Sequence, residues 1–251
     1  MHAPARTDRP ILLVTGGSRG IGAAAARLAG SRGFDVAVNY KQDAAAADAV
    51  VADIERGGGR AIAVQGDLSN EADVERMYAA IDARLGRLTH LACNTGVVTP
   101  MGRVEAMQTA WLREVFEVNV YGTFYAVRAA VPRISTRHGG RGGAIVLVSS
   151  IVATLGAPNT YVWYAASKGA IDTMAKGLSV ELADDGIRVN AVTPGLTDTG
   201  VNPPERIAQV APMIPMKRAG EPPEVAECIV FLLSDAASYV TGANLRVSGG
   251  R

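Results

Sequence analysis

The sequence predicts a single-domain α/β fold, a seven-stranded and mostly parallel sheet with helices on both faces. Three observations carry this. Short β-branched or apolar runs alternate almost throughout with longer alanine-rich segments of helical period, the rhythm of βαβ units. The intervening segments suit the crossovers of a dozen or more residues that parallel strands require. No Pro/Gly/Ser-rich linker, repeat or long low-complexity tract divides the 251 residues, a length that one α/β domain can reach.

Taken in order, the strands are expected at Ile11 to Thr15, Asp35 to Asn39, Ala61 to Gly66, Leu88 to Asn94, Ala144 to Ser149, Ile187 to Thr193 and Ala243 to Val247. Helical patterns cover about Gly20 to Arg32, Ala44 to Arg56, Glu71 to Leu85, Thr109 to Ser135, Val162 to Asp184 and Pro223 to Ser234. Two stretches are irregular: the Gly-rich turn from Arg137 to Gly143, and Leu196 to Pro223, which holds prolines 203, 204, 212, 215, 222 and 223. The second, at about 196–223, is expected to be a substrate lid, since long irregular loops in compact domains are usually functional or mobile. The main domain is read as 11–251, after a loose leader at 1–10.

Composition narrows the function. Hydrophobic residues at 48% support a substantial core and exclude general disorder. Lysine plus arginine (25) nearly cancel aspartate plus glutamate (24), so no global field draws the chain to nucleic acid or an anionic membrane. Cys93 and Cys228 stand far apart and are read as reduced thiols rather than a disulfide. With His2, His90 and His138 they give no metal-ligand spacing, so no metal is expected. The leader has no apolar signal core and no run approaches the 18 or so apolar residues of a membrane span. The expectation is a soluble, cytoplasmic protein.

Directly after the first strand comes Thr15-Gly16-Gly17-Ser18-Arg19-Gly20-Ile21-Gly22, then the helical run Ala23 to Ala29. Glycines 16, 20 and 22 at a strand-to-helix turn let the backbone approach a pyrophosphate, whose charge the N–H groups of a helix N-terminus favour. Alone, such a stretch is as easily a plain turn; its place at the first βα junction favours a dinucleotide. About 20 residues beyond the glycines, NAD sites normally carry an acid for the adenosine ribose, and here Asn39 stands there. No carboxylate repels a 2′-phosphate, and Arg19 can offer it a guanidinium fork. NADP(H) is therefore favoured over NAD(H). The alternatives are a solvated Arg19, and Asp43 reaching back to the ribose. Asp67 either bonds the adenine amino group or caps the helix starting near Asn70.

Further along stand Ser149-Ser150 and Tyr164-Ala165-Ala166-Ser167-Lys168. At about 100° per residue, Tyr164 and Lys168 lie only about 40° apart and share a helix face. The other face, Ile171, Met174, Leu178 and Leu182, is apolar and should pack on the sheet. Such a pair is common by chance on solvated helices; its partnership with a nucleotide loop gives it weight.

With these motifs the chain resembles the short-chain dehydrogenase/reductase family, in its shorter single-domain branch with a Rossmann fold. The resemblance runs from Ile11 to Gly250. It includes Thr-Gly-x-x-x-Gly-x-Gly at 15–22, Tyr-x-x-x-Lys at 164–168, Asn119 in Asn119-Val120-Tyr121-Gly122, Pro194-Gly195 with Thr199 downstream, and Tyr239-Val240-Thr241-Gly242. It implies a catalytic set of Asn119, Ser150, Tyr164 and Lys168. Implied cofactor contacts are Gly16, Ser18, Arg19, Gly20, Ile21, Gly22, Asn39, Asp67, Leu68, Asn94, Gly96, Tyr164, Lys168, Pro194, Gly195, Thr197 and Thr199. Where the family usually reads Asn-Asn-Ala-Gly, this chain has Cys93-Asn94-Thr95-Gly96; Cys93 is a buried thiol or, on the sharper reading, a redox or nucleophilic residue.

The implied reaction is hydride transfer between NADP(H) and a carbonyl/alcohol pair, Tyr164 serving as general acid or base. Tyrosine titrates near pH 10, and lowering that by about three units takes roughly 4 kcal/mol, close to what one positive charge about 4 Å away supplies at an effective dielectric of about 20. Lys168 is expected to supply it, and an oxidised nicotinamide would add to it. Ser150 would hydrogen-bond the substrate oxygen. By resemblance, Lys168 also holds the nicotinamide ribose and Asn119 supports a water relay to it. Trp163, Met101, Val152, Met213 and Met216 are offered as an apolar substrate wall or as ordinary packing. The competing class is a nucleotide-binding regulator without turnover. A P-loop nucleotidase is disfavoured because the loop lacks Gly-Lys-Ser/Thr. Family members are commonly homotetramers, joined here through about 109–135 and 162–184 and the last helix and strand.

Overall fold

In a computed structural model, which describes residues 9–200 and 202–251, the chain forms one seven-stranded sheet in the order β3-β2-β1-β4-β5-β6-β7. The strands are β1 (Ile11–Thr15), β2 (Asp35–Tyr40), β3 (Arg60–Gln65), β4 (His90–Cys93), β5 (Gly143–Val148), β6 (Ile187–Pro194) and β7 (Asn244–Val247). Every neighbouring pair is parallel. All seven fall where the sequence puts them; β1, β5 and β6, buried almost throughout, read as near-continuous apolar runs because both faces are covered.

The larger helices are α1 (Gly20–Ser31), α2 (Ala44–Arg56), α3 (Glu71–Arg84), α4 (Thr109–Phe116), α5 (Gly122–Ile134), α6 (Val152–Leu155), α7 (Val162–Glu181), α8 (Pro204–Val210) and α9 (Pro222–Leu233). Alternate residues of each strand face opposite layers. Leu13 joins the core under α3, α5 and α7; Leu12 and Val14 join the one under α1, α2 and α9. The apolar face of α7 meets the sheet as expected, with Ile171, Met174 and Leu182 buried and Leu178 packed against them.

Two expectations change. The helix read as unbroken from Thr109 to Ser135 is interrupted by a π-turn at Glu117–Tyr121 that joins α4 to α5. One extra residue per turn leaves apolar periodicity almost intact, which hides the break in the sequence. The segment at 196–223 is not wholly irregular: it carries α8, whose first turn accepts Pro204 because an N-terminal helical residue needs no N–H partner. The leader reading of 1–10 lies mostly outside the described residues. Arg9 is anchored, its Nε donating to Gly33 O at 2.9 Å and pairing with Asp35 at 3.5 Å.

The strand order reverses between β1 and β4. In open parallel sheets that switch point leaves a crevice beyond the carboxyl ends of the strands, and ligands bind there.

Candidate active site

The glycine loop leaves β1 at the switch point. Gly16 has φ 60°, a conformation that favours glycine. A Cβ on Gly22 would fall 2.3 Å from Gly16 O and 2.6 Å from Asn94 Nδ2, so the tight turn onto α1 accepts no side chain there. Asn94 bridges the crevice, its amide donating to Thr15 O at 3.2 Å and Gly16 O at 3.1 Å. Thr15 Oγ1 accepts the Asn94 and Thr95 backbone N–H groups, and Thr95 Oγ1 is buried without a hydrogen-bond partner. Thr199, at the root of the 196–223 segment, lies over Gly20, whose Cβ would meet it at 3.1 Å. Thr197 is buried and bridges to Gly220, while Gly195 N donates to Val247 O at 2.8 Å. Loop, β4 exit and β6 exit thus converge on a glycine-lined cradle that suits a pyrophosphate.

Three side chains decide the adenosine end. Asn39 is 2% exposed and turned into the protein: its Oδ1 accepts Gly16 N at 3.1 Å, and its Nδ2 donates to Gly66 O at 3.0 Å. It therefore shapes the loop rather than reaching outward as a direct ligand. Asp43 caps α2, accepting Ala46 N at 3.0 Å, so the alternative that it reaches back to the ribose loses its carboxylate. Asn70 caps α3, which removes the capping role considered for Asp67. Asp67 instead pairs with Lys41 at 2.7 Å and accepts from Ser69. These hydrogen bonds outweigh its burial, the largest single effect, and keep its carboxyl below the usual range. Leu68 is buried beneath it. Arg19 and Ser18 stand at the loop surface, Arg19 exposed, and Ile21 packs on the core.

Catalytic candidates gather beyond β4 and β5. Lys168, on α7, is 4% exposed and its Nζ donates to Val148 O at 2.8 Å. The ammonium lies 5.9 Å from the centre of the Tyr164 ring. A Cβ on Gly96 would sit 3.3 Å from Lys168 Nζ and 3.5 Å from Asn119 Oδ1, so lysine and asparagine face one another across this glycine. Asn119 belongs to the π-turn, a distortion frequent at functional sites. Its amide is fully engaged: Oδ1 accepts Val97 N at 2.8 Å, and Nδ2 donates to Val97 O and Ser167 Oγ. The Ser150 side chain hydrogen-bonds Tyr164.

Burial pushes the Tyr164 phenol up to about 12, against the opposing Ser150 hydrogen bond, and nearby Tyr161 raises it further. The Lys168 ammonium donates to the Val148 carbonyl at 2.8 Å. Burial also lowers Lys168, to about 8, with Asp172 and Cys93 opposing. Cys93 is raised to about 12 by burial, so the thiol is inert packing rather than a nucleophile. Among the described residues no His/Cys/Asp/Glu cluster could hold a metal, and no helix is long and apolar enough to cross a membrane.

Of the offered apolar wall, Trp163 is buried and donates to Thr99 Oγ1 at 2.7 Å, Val152 is half-buried, and Met101, Met213 and Met216 are exposed. Three polar residues escaped the sequence reading: Lys41, Tyr161 and Arg206. The charge of Lys41 two positions past Asn39 was a visible signal. Arg206, 45 positions from Tyr161, left none.

A glycine cradle at the switch point of a doubly wound sheet, with a buried lysine and a tyrosine on one helix beside it, defines the short-chain dehydrogenase/reductase class, and this chain belongs to that family. A family model described as enoyl-(acyl carrier protein) reductase matches residues 16–251. The chain is 47% identical over 245 residues to the uncharacterized oxidoreductase YgfF of Escherichia coli (strain K12), covering 96% of this chain and 99% of that one. It is 38% identical over 246 residues to 3beta-hydroxysteroid dehydrogenase 1 of Eggerthella lenta, covering 95% and 92%. Among solved structures, the angucycline C-6 ketoreductase LanV with bound NADP superposes with a TM-score of 0.89 at 34% identity, covering 96% and 95%. The protein is an oxidoreductase of a family that binds a nicotinamide cofactor.

Proposed function

We propose that the protein is an NADP(H)-dependent short-chain dehydrogenase/reductase that interconverts a small-molecule carbonyl and its alcohol. The observation that carries this is the cluster around Gly96: buried Lys168 facing Asn119, with Tyr164 one helical turn before Lys168 and hydrogen-bonded to Ser150. The glycine cradle, which a Cβ at Gly22 would fill, fits a dinucleotide. Gly16, Gly20, Asn94, Gly195 and Thr199 would hold its pyrophosphate region and Lys168 its nicotinamide ribose.

When bound, the nicotinamide supplies or accepts the hydride. The remaining work falls to side chains. In reduction the carbonyl oxygen gains negative charge, Ser150 Oγ stabilises it by a hydrogen bond, and Tyr164 Oη donates the proton. Burial keeps the phenol protonated in the free protein, the form that donation needs. In oxidation the same oxygen takes the alcohol proton, which requires phenolate. Asn119, whose amide is spent on Val97 and Ser167, fixes the backbone beside Lys168.

The 2′-phosphate preference rests on Arg19, exposed at the loop, and on the absence of a free carboxylate at the end of β2, where Asn39 is turned inward and Asp43 caps a helix. Lys41 neutralises Asp67 nearby. An NAD(H) enzyme is the second reading, and the ratio of Michaelis constants decides it. We also propose a cytoplasmic homotetramer, supported by exposed Tyr121 and Phe124 at the start of α5 and Val180 on α7, apolar side chains of the kind that subunit interfaces cover.

The test is Tyr164→Phe against a panel of ketones, sugars, steroids and quinones, following reduced-nicotinamide absorbance. Cofactor binding should persist while turnover falls by about 10²–10⁴-fold or more. Near-normal turnover refutes the assignment; cofactor binding with no turnover by the wild type favours the regulator.

A further inference from the structure

We propose that Arg206 is a substrate anchor and that the carbonyl substrates of this site carry a carboxylate at the end remote from the reacting carbon. The inference rests on the reading of Tyr164 as the proton donor.

Arg206 lies on α8, in the 196–223 segment that follows β6. Its Nη2 donates to Tyr161 Oη at 2.9 Å and its Nη1 approaches Met101 Sδ at 3.0 Å. The guanidinium carbon is 5.8 Å from the centre of the Tyr161 ring, and Tyr161 meets Tyr164 edge to face at 5.5 Å. The cation therefore stands one aromatic ring beyond the proposed acid.

Many arginines are already committed: Arg87 and Arg188 to backbone carbonyls, others to acids. Arg27, Arg32, Arg133 and Arg218 all pair with carboxylates. Even Arg103, close by on the same rim, is neutralised by Glu105 at 2.5 Å and also bonds Asn159. Among the described residues, the side-chain partners of Arg206 are a phenol and a thioether. A guanidinium offers five N–H donors, and a phenol plus a sulfur engages few of them. The half-buried fork keeps capacity for a planar anion, and carboxylate matches its geometry through two parallel hydrogen bonds.

Met101 lies against the guanidinium. Val98, Met101, Leu155 and Met213 are exposed large hydrophobic side chains with no role in the sheet cores. A substrate that covers them needs an apolar body, and one that also meets Arg206 needs an anionic end. An oxo or hydroxy carboxylate with a hydrocarbon spacer satisfies both.

The experiment compares oxo carboxylates of several spacer lengths with their methyl esters, using wild type, Arg206→Gln and Arg206→Lys with saturating NADPH. The wild type should prefer the acid over its ester. In Arg206→Gln that preference should shrink by roughly 10–100-fold, chiefly through KM, and Arg206→Lys should restore part of it because a lysine keeps the charge without the fork. A wild type that reduces acids and esters alike, or an Arg206→Gln variant that loses acid and ester activity in equal measure, overturns the anchor while leaving the oxidoreductase reading intact; the second result would mark a lid contact. Failure of the wild type to reduce any member of either series overturns the anchor; only failure on the broader panel of ketones, sugars, steroids and quinones as well sinks the oxidoreductase reading.

Discussion

Replacing Lys168 with methionine should make the protein more stable and inactive at once. The ammonium is buried, and burial lowers its pKa from 10.5 to about 8. At 1.36 kcal/mol per unit, keeping it charged near pH 7 costs the folded state about 3 kcal/mol. Methionine has a similar volume and no charge to desolvate, but it forfeits the hydrogen bond to Val148 O, worth about 1 kcal/mol. The net gain near pH 7 is about 2 kcal/mol, or roughly 4–8 °C in Tm for a chain of this size. Because the folded-state value lies below the unfolded one, the unfolded chain binds more protons between pH 8 and 10.5, and this contribution raises wild-type stability across that window. The advantage of the variant should shrink through it and vanish above. Urea unfolding at several pH values measures the difference; Tyr78 titrates in both proteins, and a Cys93→Ala background removes the thiol whose titration Lys168 influences. A variant no more stable than wild type near pH 7, or one whose advantage stays constant to about pH 10.5, would refute the reasoning.

Acid should destabilise the protein through His90, which burial and then the charge of Arg188 lower from 6.5 to about 4. The unfolded chain takes up a proton as pH falls from 6.5 towards 4 while the folded one does not, a loss of at most about 3 kcal/mol; His90→Gln should flatten that limb of a stability profile. Gly22→Ala drives a methyl into Gly16 O and Asn94, and should cost about 2–4 kcal/mol and abolish cofactor binding in a fluorescence titration. Arg19→Gln should raise KM for NADPH about tenfold or more and leave KM for NADH nearly constant; equal changes for both would place Arg19 outside the phosphate site.

Much of the fold was legible because its signals are local. Most strands are short apolar runs and each major helix a periodic one, and both patterns survive without knowledge of neighbours. The glycine loop and the Tyr164/Lys168 spacing were legible for the same reason. The π-turn at Glu117–Tyr121 was not, since a shift of one hydrogen-bond register hardly alters the pattern of Val115, Val118 and Val120. Nor was the direction of Asn39: position marked it as a cofactor residue, whereas its amide is claimed by Gly16 and Gly66, from two other strand exits.

By itself, then, the sequence determined a parallel α/β sheet, a phosphate-sized turn at its first junction and a phenol four residues before an amine. These follow from chain geometry over a few residues, where spacing alone dictates direction. Only the folded molecule decided that the Lys168 ammonium is buried against the Val148 carbonyl, that Asp43 and Asn39 are occupied elsewhere, and that Arg206 comes to rest beside Tyr161. Desolvation and contacts between distant segments arise when separate elements share one volume, and no spacing along the chain encodes them.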